Sequence, residues 1–524
     1  MTRPKGENIK RATFMLMITL FLSRILGFVR EMITARVFGS NYVTDAFFAA
    51  FTIPDVLFDL LISGALSSGF MPVFNSYLAE EDEEGAWNAA NTFITVSMIF
   101  IIVFNLLGMV FARYLVPFVA AGMTDNQEGF KLTVKLTRIM FSAVTFTVLA
   151  GLIRGILNSY KRFTIPSLGP MLYNVGIILG ALLLGRKFGI YGMAVGVVAG
   201  AILNVAVQLP EFLAFGKRFR LELNTKNAGY RRMLRLMGPA IIGLALARLN
   251  LVVNQNIASF LDDGSITALR YAQRIMMLPI GIFGASISTT IFPEMSMHIA
   301  KKEIEEFKDT LLNGLKTLMF IIIPATAGIM AISEPVVRLL FKSGKFMEQD
   351  VKVTAFALSF YAIGIIGQSA VPIIIRGFYA IQDTKTPVKV GAIAFAANVI
   401  LNLIFVKFSN LAIGGIAFSS SLTSILQMIL LYKLLARRFD GLRTKELMIS
   451  TSKATIASII MGAAAFGISK VVEGSIGTAS KMAQLIDAGT AIAVGMIIYI
   501  LAAYALKMGE LDFAVGTIKR KFKK

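Results

Sequence analysis

Residues 62–72 read ISGALSSGFMP, and residues 282–293 read IFGASISTTIFP. Both stretches are runs of small residues closed by a proline. Gly64 precedes Gly284 by 220 positions, and Pro72 precedes Pro293 by 221. Working outward, LIRG at Arg154 faces IIRG at Arg376 with an offset of 222, and Pro166 faces Pro387 with one of 221. Gly192, Gly196 and Gly200 face Gly415, Ser419 and Thr423 at 223, and Arg24 faces Arg248 at 224. An offset that drifts by four residues across nearly a whole unit marks an internal duplication, so the fold is expected to consist of two similar halves.

The halves are membrane-embedded. Of 524 residues, 56% are hydrophobic and 16% charged, with a mean hydropathy of +0.72. A soluble chain carries about a quarter charged residues. Apolar stretches long enough to cross about 30 Å of hydrocarbon recur throughout. They predict an all-α polytopic protein of about fourteen spans, at 12–38, 46–78, 88–112, 132–157, 165–185, 189–214, 231–259, 266–297, 309–332, 351–379, 388–407, 411–435, 449–470 and 485–507. Six spans per repeat means that the repeats run parallel, related by an axis along the membrane normal. The expected organisation is an N-lobe over 1–220, a C-lobe over 221–440, and two further spans with a basic tail over 441–524, with a cavity between the lobes. The glycine rows at 192/196/200 and 415/419/423 have helical spacing and predict close helix packing rather than a ligand loop.

The net charge of +21 would suggest nucleic acid in a soluble protein. Here it follows the loops. Arg3, Lys5, Lys10 and Arg11 precede span 1. Lys217, Arg218, Arg220, Lys226, Arg231 and Arg232 follow span 6. Arg437, Arg438, Arg443 and Lys445 follow span 12, and Lys519, Arg520, Lys521, Lys523 and Lys524 close the chain. All fall on one side, so both termini are expected in the cytoplasm. There is no cysteine and one histidine, His298; no metal site, cofactor or catalytic triad is expected, and no Walker A pattern is present. The chain reads as a transporter and not as an enzyme. His298 and Trp87 read as residues of the membrane interface.

Ionisable groups inside spans cost about 2.5–3.5 kcal/mol each at mid-bilayer and therefore mark wet cavities or partners. Span 1 contains FLSRILGFVREMITARVF at 21–38. Arg24, Gly27 and Glu31 share a helical face, flanked by Arg30. A structural Arg–Glu pair is the bland alternative, but two cations against one acid leave net positive charge. Span 8 opens with Arg270 and Arg274, four residues apart, and span 7 carries Arg248. Together they predict a cationic cavity suited to a phosphate or diphosphate; Arg36 and Arg270 are alternatively read as snorkelling to the outer interface. On span 2, Asp45 follows Thr44 at a helix start and reads as an N-cap. Asp55 follows Pro54 and reads as the cap of a restarted helix. Asp59 lies deeper, where it either pairs with an arginine or binds a coupling proton or cation. Asn254, Asn398 and Asn402 read mainly as bridges between helices.

At these residues the chain resembles the MurJ (MviN) family of lipid II flippases, within the superfamily of two-lobed multidrug, oligosaccharidyl-lipid and polysaccharide exporters. The resembling stretches are SRILGFVRE at 23–31, ARVFG at 35–39, TDAFFAAF at 44–51, ISGALSSGFMP at 62–72, YAQRIMMLPIGIFG at 271–284 and FYAIQDTKTPVKV at 378–390. The resemblance implies a flippase of the bacterial cytoplasmic membrane that carries the undecaprenyl-diphosphate-linked peptidoglycan precursor outward by alternating access. It implies headgroup contacts at Arg24, Arg30, Glu31, Asp45 and Arg274; Arg248, Arg270 and Asp59 are further candidates from the reading of the residues alone. It also implies a groove from spans 13 and 14 for the polyprenyl tail, and membrane lipids and cell-wall synthesis proteins as partners. The chain departs from many members at Phe58, Asp59 and Ser63, where those members carry an arginine and a glutamate. Span 7 here has no acid, and span 11 offers only Asn398 and Asn402, so the sodium site of some members is not carried over and the coupling ion stays open. Two alternatives also remain: an exporter of another polyprenyl-diphosphate saccharide, such as a teichoic or capsular precursor, and a non-transporting scaffold for cell-wall synthesis.

Overall fold

The computed structural model describes residues 9–214 and 219–511. Arg3, Lys5, Lys217, Arg218, Lys519, Arg520, Lys521, Lys523 and Lys524 lie outside the described residues, as do the side chains of Lys10, Arg11 and Ser63. Among the described residues the regular elements are helical. In chain order they are α1 (Ile9–Phe38), α2 (Tyr42–Phe58), a long π-helix (Asp59–Phe70), α3 (Met71–Ala79), α4 (Glu83–Ala120), a 3-10 turn (Ala121–Asp125), α5 (Gln127–Ser159), α6 (Thr164–Leu179), a short π segment (Gly180–Leu184), α7 (Gly185–Phe188), α8 (Ile190–Leu213) and α9 (Ala228–Ala258). There follow α10 (Ser265–Pro279), a second short π segment (Ile280–Gly284), α11 (Ala285–Ala300), α12 (Ile304–Ala331), α13 (Ser333–Phe341), α14 (Glu348–Ile363), α15 (Ile365–Ala380), α16 (Lys385–Phe408), α17 (Ile413–Arg438), α18 (Thr444–Ile476) and α19 (Lys481–Ala505).

Eleven described helices are long and apolar enough to cross a membrane. The other three expected spans are occupied by α1, by α2 with the π-helix and α3, and by α9. These segments hold Arg24, Arg30, Glu31, Asp45, Asp55, Asp59 and Arg248. Large apolar side chains such as Tyr114, Phe118, Leu183, Ile459 and Leu501 face outward, while Asn105, Asn204, Gln208 and Ser419 are buried. That inversion of the soluble pattern is what a hydrocarbon solvent selects, because polar groups find partners only inside the bundle. The protein is a multi-pass α-helical membrane protein.

The chain divides into two compact units, one of residues 1–267 with 343–346, the other of residues 268–342 with 347–524. In the first, α5 packs against α2, α4 and α8, and α9 lies along the π-helix and α4. Gly69 admits α9: a Cβ there would fall 2.7 Å from the Met233 carbonyl oxygen. The core is aromatic, with Phe70, Phe74, Phe93 and Phe141 fully enclosed. Trp87 belongs to this core and is not an interfacial anchor. It is 2% exposed, lies edge-on to Phe74 and donates from Nε1 to the Tyr160 hydroxyl at 2.8 Å. The hydropathy pattern could not reveal this, since a lone Trp near a helix start fits either setting.

Helices α6 and α8 touch backbone to backbone through the expected glycine row. A Cβ at Gly176 would lie 2.4 Å from the Gly200 Cα, and one at Gly196 would lie 2.7 Å from the Gly176 carbonyl oxygen. Backbone cannot move aside as a side chain can. Gly196→Ala is therefore expected to lower stability by about 1–3 kcal/mol, the range for overpacking, seen as a reduced melting temperature of the solubilised protein. An unchanged melting curve would show that the two helices separate freely.

In the second unit, α17 packs against α14, α15 and α16, and the α18–α19 pair lies on α12. Hydroxyls stitch these contacts. Ser421 donates to the Phe360 carbonyl at 2.7 Å, and Tyr499 to the Phe320 carbonyl at 2.6 Å. Asn402 donates to Asn398 at 3.1 Å and Asn398 to Thr423 at 3.5 Å, linking α16 to α17. Beyond α12, Arg338 on α13 is enclosed by Glu334 at 2.5 Å, Glu348 at 2.7 Å and Glu473 at 3.4 Å. His298 sits at the end of α11, 2.8 Å from Glu303.

Candidate functional site

Three groups of charged side chains in the first unit involve the residues singled out in the sequence. On α1, Arg30 donates to Glu31 at 2.6 Å and to Asn174 of α6 at 3.3 Å. Glu31 is 2% exposed and Arg30 half-buried, whereas Arg24, two turns earlier, is exposed. Neighbouring residues on a helix do not share a face, so helical periodicity placed Glu31 with Arg24; the Arg–Glu pair of the alternative reading is present, between Arg30 and Glu31.

The second group joins Asp59, at the start of the π-helix, to Arg248 of α9 in an ion pair. The third is Asp45. Its own helix is capped by Asn41, which accepts from the Val43 and Thr44 amides while Thr44 caps in return. Asp45 instead caps a distant helix. It accepts from the Gly264 amide at 2.7 Å, the Thr267 amide at 2.8 Å and the Thr267 hydroxyl at 2.6 Å, and these are the first groups of α10. The N-cap chemistry expected of Asp45 is present, but on the wrong helix for a reading of local sequence. Pro54 is accommodated inside α2, so no helix restarts at Asp55.

Asp55 faces a cavity of about 190 Å³ inside the first unit, lined also by Phe51, Thr147, Arg154, Tyr173 and Asn204. Arg154 was legible in the sequence only as the repeat counterpart of Arg376. The structure separates the two. Arg376 donates to the Ser288 carbonyl at 2.7 Å and to Thr289 at 3.3 Å, and stacks over Phe292. Arg154 Nε is buried without a hydrogen-bond partner among the described residues. In the second unit, Arg270 is half-buried and Arg274 exposed, one turn apart on α10. No group of His, Cys, Asp and Glu able to hold a metal occurs among the described residues.

The expected spans thus carry arginines, of which Arg30 and Arg248 pair with carboxylates while Arg24 and Arg274 are exposed. The family model described as lipid II flippase MurJ matches residues 34–486. The chain belongs to the MurJ lipid II flippase family. A lipid II flippase of Burkholderia cenocepacia is 32% identical over 437 residues, covering 82% of this chain and 84% of that protein. A probable lipid II flippase of Haemophilus influenzae is 32% identical over 466 residues, covering 84% and 89%. Among solved structures, a MurJ lipid II flippase in an inward closed conformation is 28% identical, with a TM-score of 0.76 over 94% of this chain and 98% of that one. An inward-facing multidrug transporter of the MATE family is 14% identical, with a TM-score of 0.66 over 83% of this chain and 99% of its own, and shares the fold. The family is one of membrane transporters, in keeping with the absence of Walker A, cysteine and catalytic constellations in the sequence.

Proposed function

We propose that this protein is a lipid II flippase of the bacterial cytoplasmic membrane, with both termini in the cytoplasm, working by alternating access. The observation that carries the reading is the family match over residues 34–486. The residue chemistry agrees with it. A diphosphate needs forked donors, and Arg24, Arg30 and Arg274 supply guanidinium groups at membrane depth. In this reading Arg30, oriented by Glu31 and Asn174, and the exposed Arg24 receive the headgroup from the cytoplasmic side, together with Arg274. Alternating access then releases it outside. Arg248 and Asp59 neutralise each other on the wall of the path. An inside-negative potential favours outward movement of the anionic headgroup by about 2.3 kcal/mol per charge per 100 mV.

Single alanine substitutions at Arg24, Arg30 and Arg274 are expected to abolish growth of a flippase-depleted bacterial strain while membrane levels of the protein stay normal. Full growth with all three would end the proposed mechanism. The substrate is tested in proteoliposomes given lipid II and a teichoic-acid precursor in parallel. Lipid II should move faster; equal or preferential movement of the other lipid would reassign the protein to another polyprenyl-diphosphate saccharide. Movement of neither would favour the scaffold reading.

A further inference from the structure

Helices α18 and α19 lie largely outside the duplicated halves, and most of α19 lies beyond the family match, which ends at residue 486. They enclose a cluster of oxygens. Asp487 is 1% exposed and Gln484 3% exposed, three residues apart on one face of α19. Ser469 of α18 donates its hydroxyl to Asp487 Oδ1 at 2.7 Å. The Gln484 amide donates to the Thr478 carbonyl at 3.0 Å, which fixes its orientation and points its carbonyl the other way. Asp487 Oδ2 and Gln484 Oε1 are both buried without a donor among the described residues.

The charges on the elements packed around the cluster are already engaged. On α18, Lys470 pairs with Glu473 at 2.8 Å. On α13, Arg338 is held by Glu334, Glu348 and Glu473. Lys342 pairs with Glu348 at 2.6 Å, and Lys481 donates to the Leu339 carbonyl at 2.9 Å. The neighbouring end of α12 contributes Met330 and Ala331. No lysine or arginine forms an ion pair with Asp487 among the described residues. An unpaired carboxylate at this depth is expensive, and an orphan acceptor beside it adds its own desolvation penalty.

A route to the cluster exists. A cavity of about 170 Å³ is lined by Glu334, Phe466, Ser469, Lys470 and Glu473, so the serine that bonds Asp487 also faces open space. By the loop charges this end of α18 is the outer one.

We propose that Asp487, Gln484 and Ser469 form a binding site for one monovalent cation, H+ or Na+, filled from the outer side through this cavity. A proton on Asp487 Oδ2 would neutralise the carboxylate and turn that orphan acceptor into a donor. A sodium ion would take the two orphan oxygens with water from the cavity, as hard cations take oxygen ligands. Either removes the buried net charge. Use of the cation to drive transport rests on the flippase reading; the binding site does not.

The test uses purified full-length protein in lipid nanodiscs. Its melting temperature is measured in NaCl and in choline chloride at one ionic strength, and infrared difference spectra are recorded for a protonated carboxyl band. For a sodium site, NaCl stabilises the wild type, Asp487→Asn abolishes the effect, and Gln484→Leu raises the half-maximal sodium concentration by about tenfold, equivalent to 1.4 kcal/mol. For a proton site, sodium has no effect and the carboxyl band is lost in Asp487→Asn. If Asp487→Asn does not fold, Gln484→Leu decides, by the same sodium shift or by displacement of the carboxyl band. A wild type showing neither signal, or variants indistinguishable from it, would overturn the site. Protein that binds the cation yet moves no lipid-linked saccharide in proteoliposomes would keep the site and remove the flippase reading.

Discussion

Replacing Asp45 with alanine is expected to lower the stability of the solubilised protein by about 3–5 kcal/mol, and to abolish growth of the depleted strain. The magnitude follows from what the carboxylate holds. The first amides of a helix have no partner within it, and Asp45 covers the Gly264 and Thr267 amides as well as the Thr267 hydroxyl. It is buried, and its oxygens meet the positive end of the α10 dipole. Each buried donor left without a partner costs about 1–3 kcal/mol. Gly264 is fitted to this contact: its φ of +91° is one that other residues rarely adopt, and a Cβ there would sit 2.8 Å from the Ser40 carbonyl oxygen. Asp45→Asn keeps one acceptor and should fall between alanine and the wild type. Thermal unfolding in detergent checks the order. An alanine variant melting with the wild type would mean that water replaces the carboxylate without loss.

Arg338→Met is expected to destabilise the second unit by about 3–5 kcal/mol, the range for breaking one side of a buried charge cluster. The Arg338 side chain is 3% exposed and lies among carboxylates from three helices, Glu334 of α13, Glu348 of α14 and Glu473 of α18. Methionine fills much of the space but leaves like charges facing one another. Lys342 and Lys470 partly compensate Glu348 and Glu473, at 2.6 Å and 2.8 Å, which places the effect toward the lower end. Glu473→Gln removes one partly exposed partner and should cost less. Limited proteolysis should also find the α18–α19 connection cut faster in Arg338→Met than in Glu473→Gln. Equal rates would show that the cluster does not tie α13 to α18.

Helical class was legible because apolar runs of membrane length are a repetitive signal. Charges at membrane depth were legible one by one. Their partners were not, because partnership is set by tertiary packing across large sequence gaps. Asp45 meets Thr267 at a separation of 222 residues, and Arg30 meets Asn174 at 144. The π-helix was hidden for a different reason. Small residues such as Ser67, Ser68 and Gly69 permit it, yet the same composition suits an ordinary close-packed helix. The unpartnered nitrogen of Arg154 and the oxygens of Asp487 and Gln484 are defined by what does not surround them, which no linear pattern encodes.

The enclosed indole described above gives the molecule a built-in optical reporter. Trp87 is the chain's only tryptophan, so its emission has one source. Its ring touches Phe74 of α3 and Phe212 of α8, and its nitrogen holds Tyr160 at the end of α5, which in turn donates to Glu83 at 2.7 Å. Any movement that parts these four helices would wet the ring and shift its spectrum to the red, so motion in the first unit is readable in the unlabelled protein.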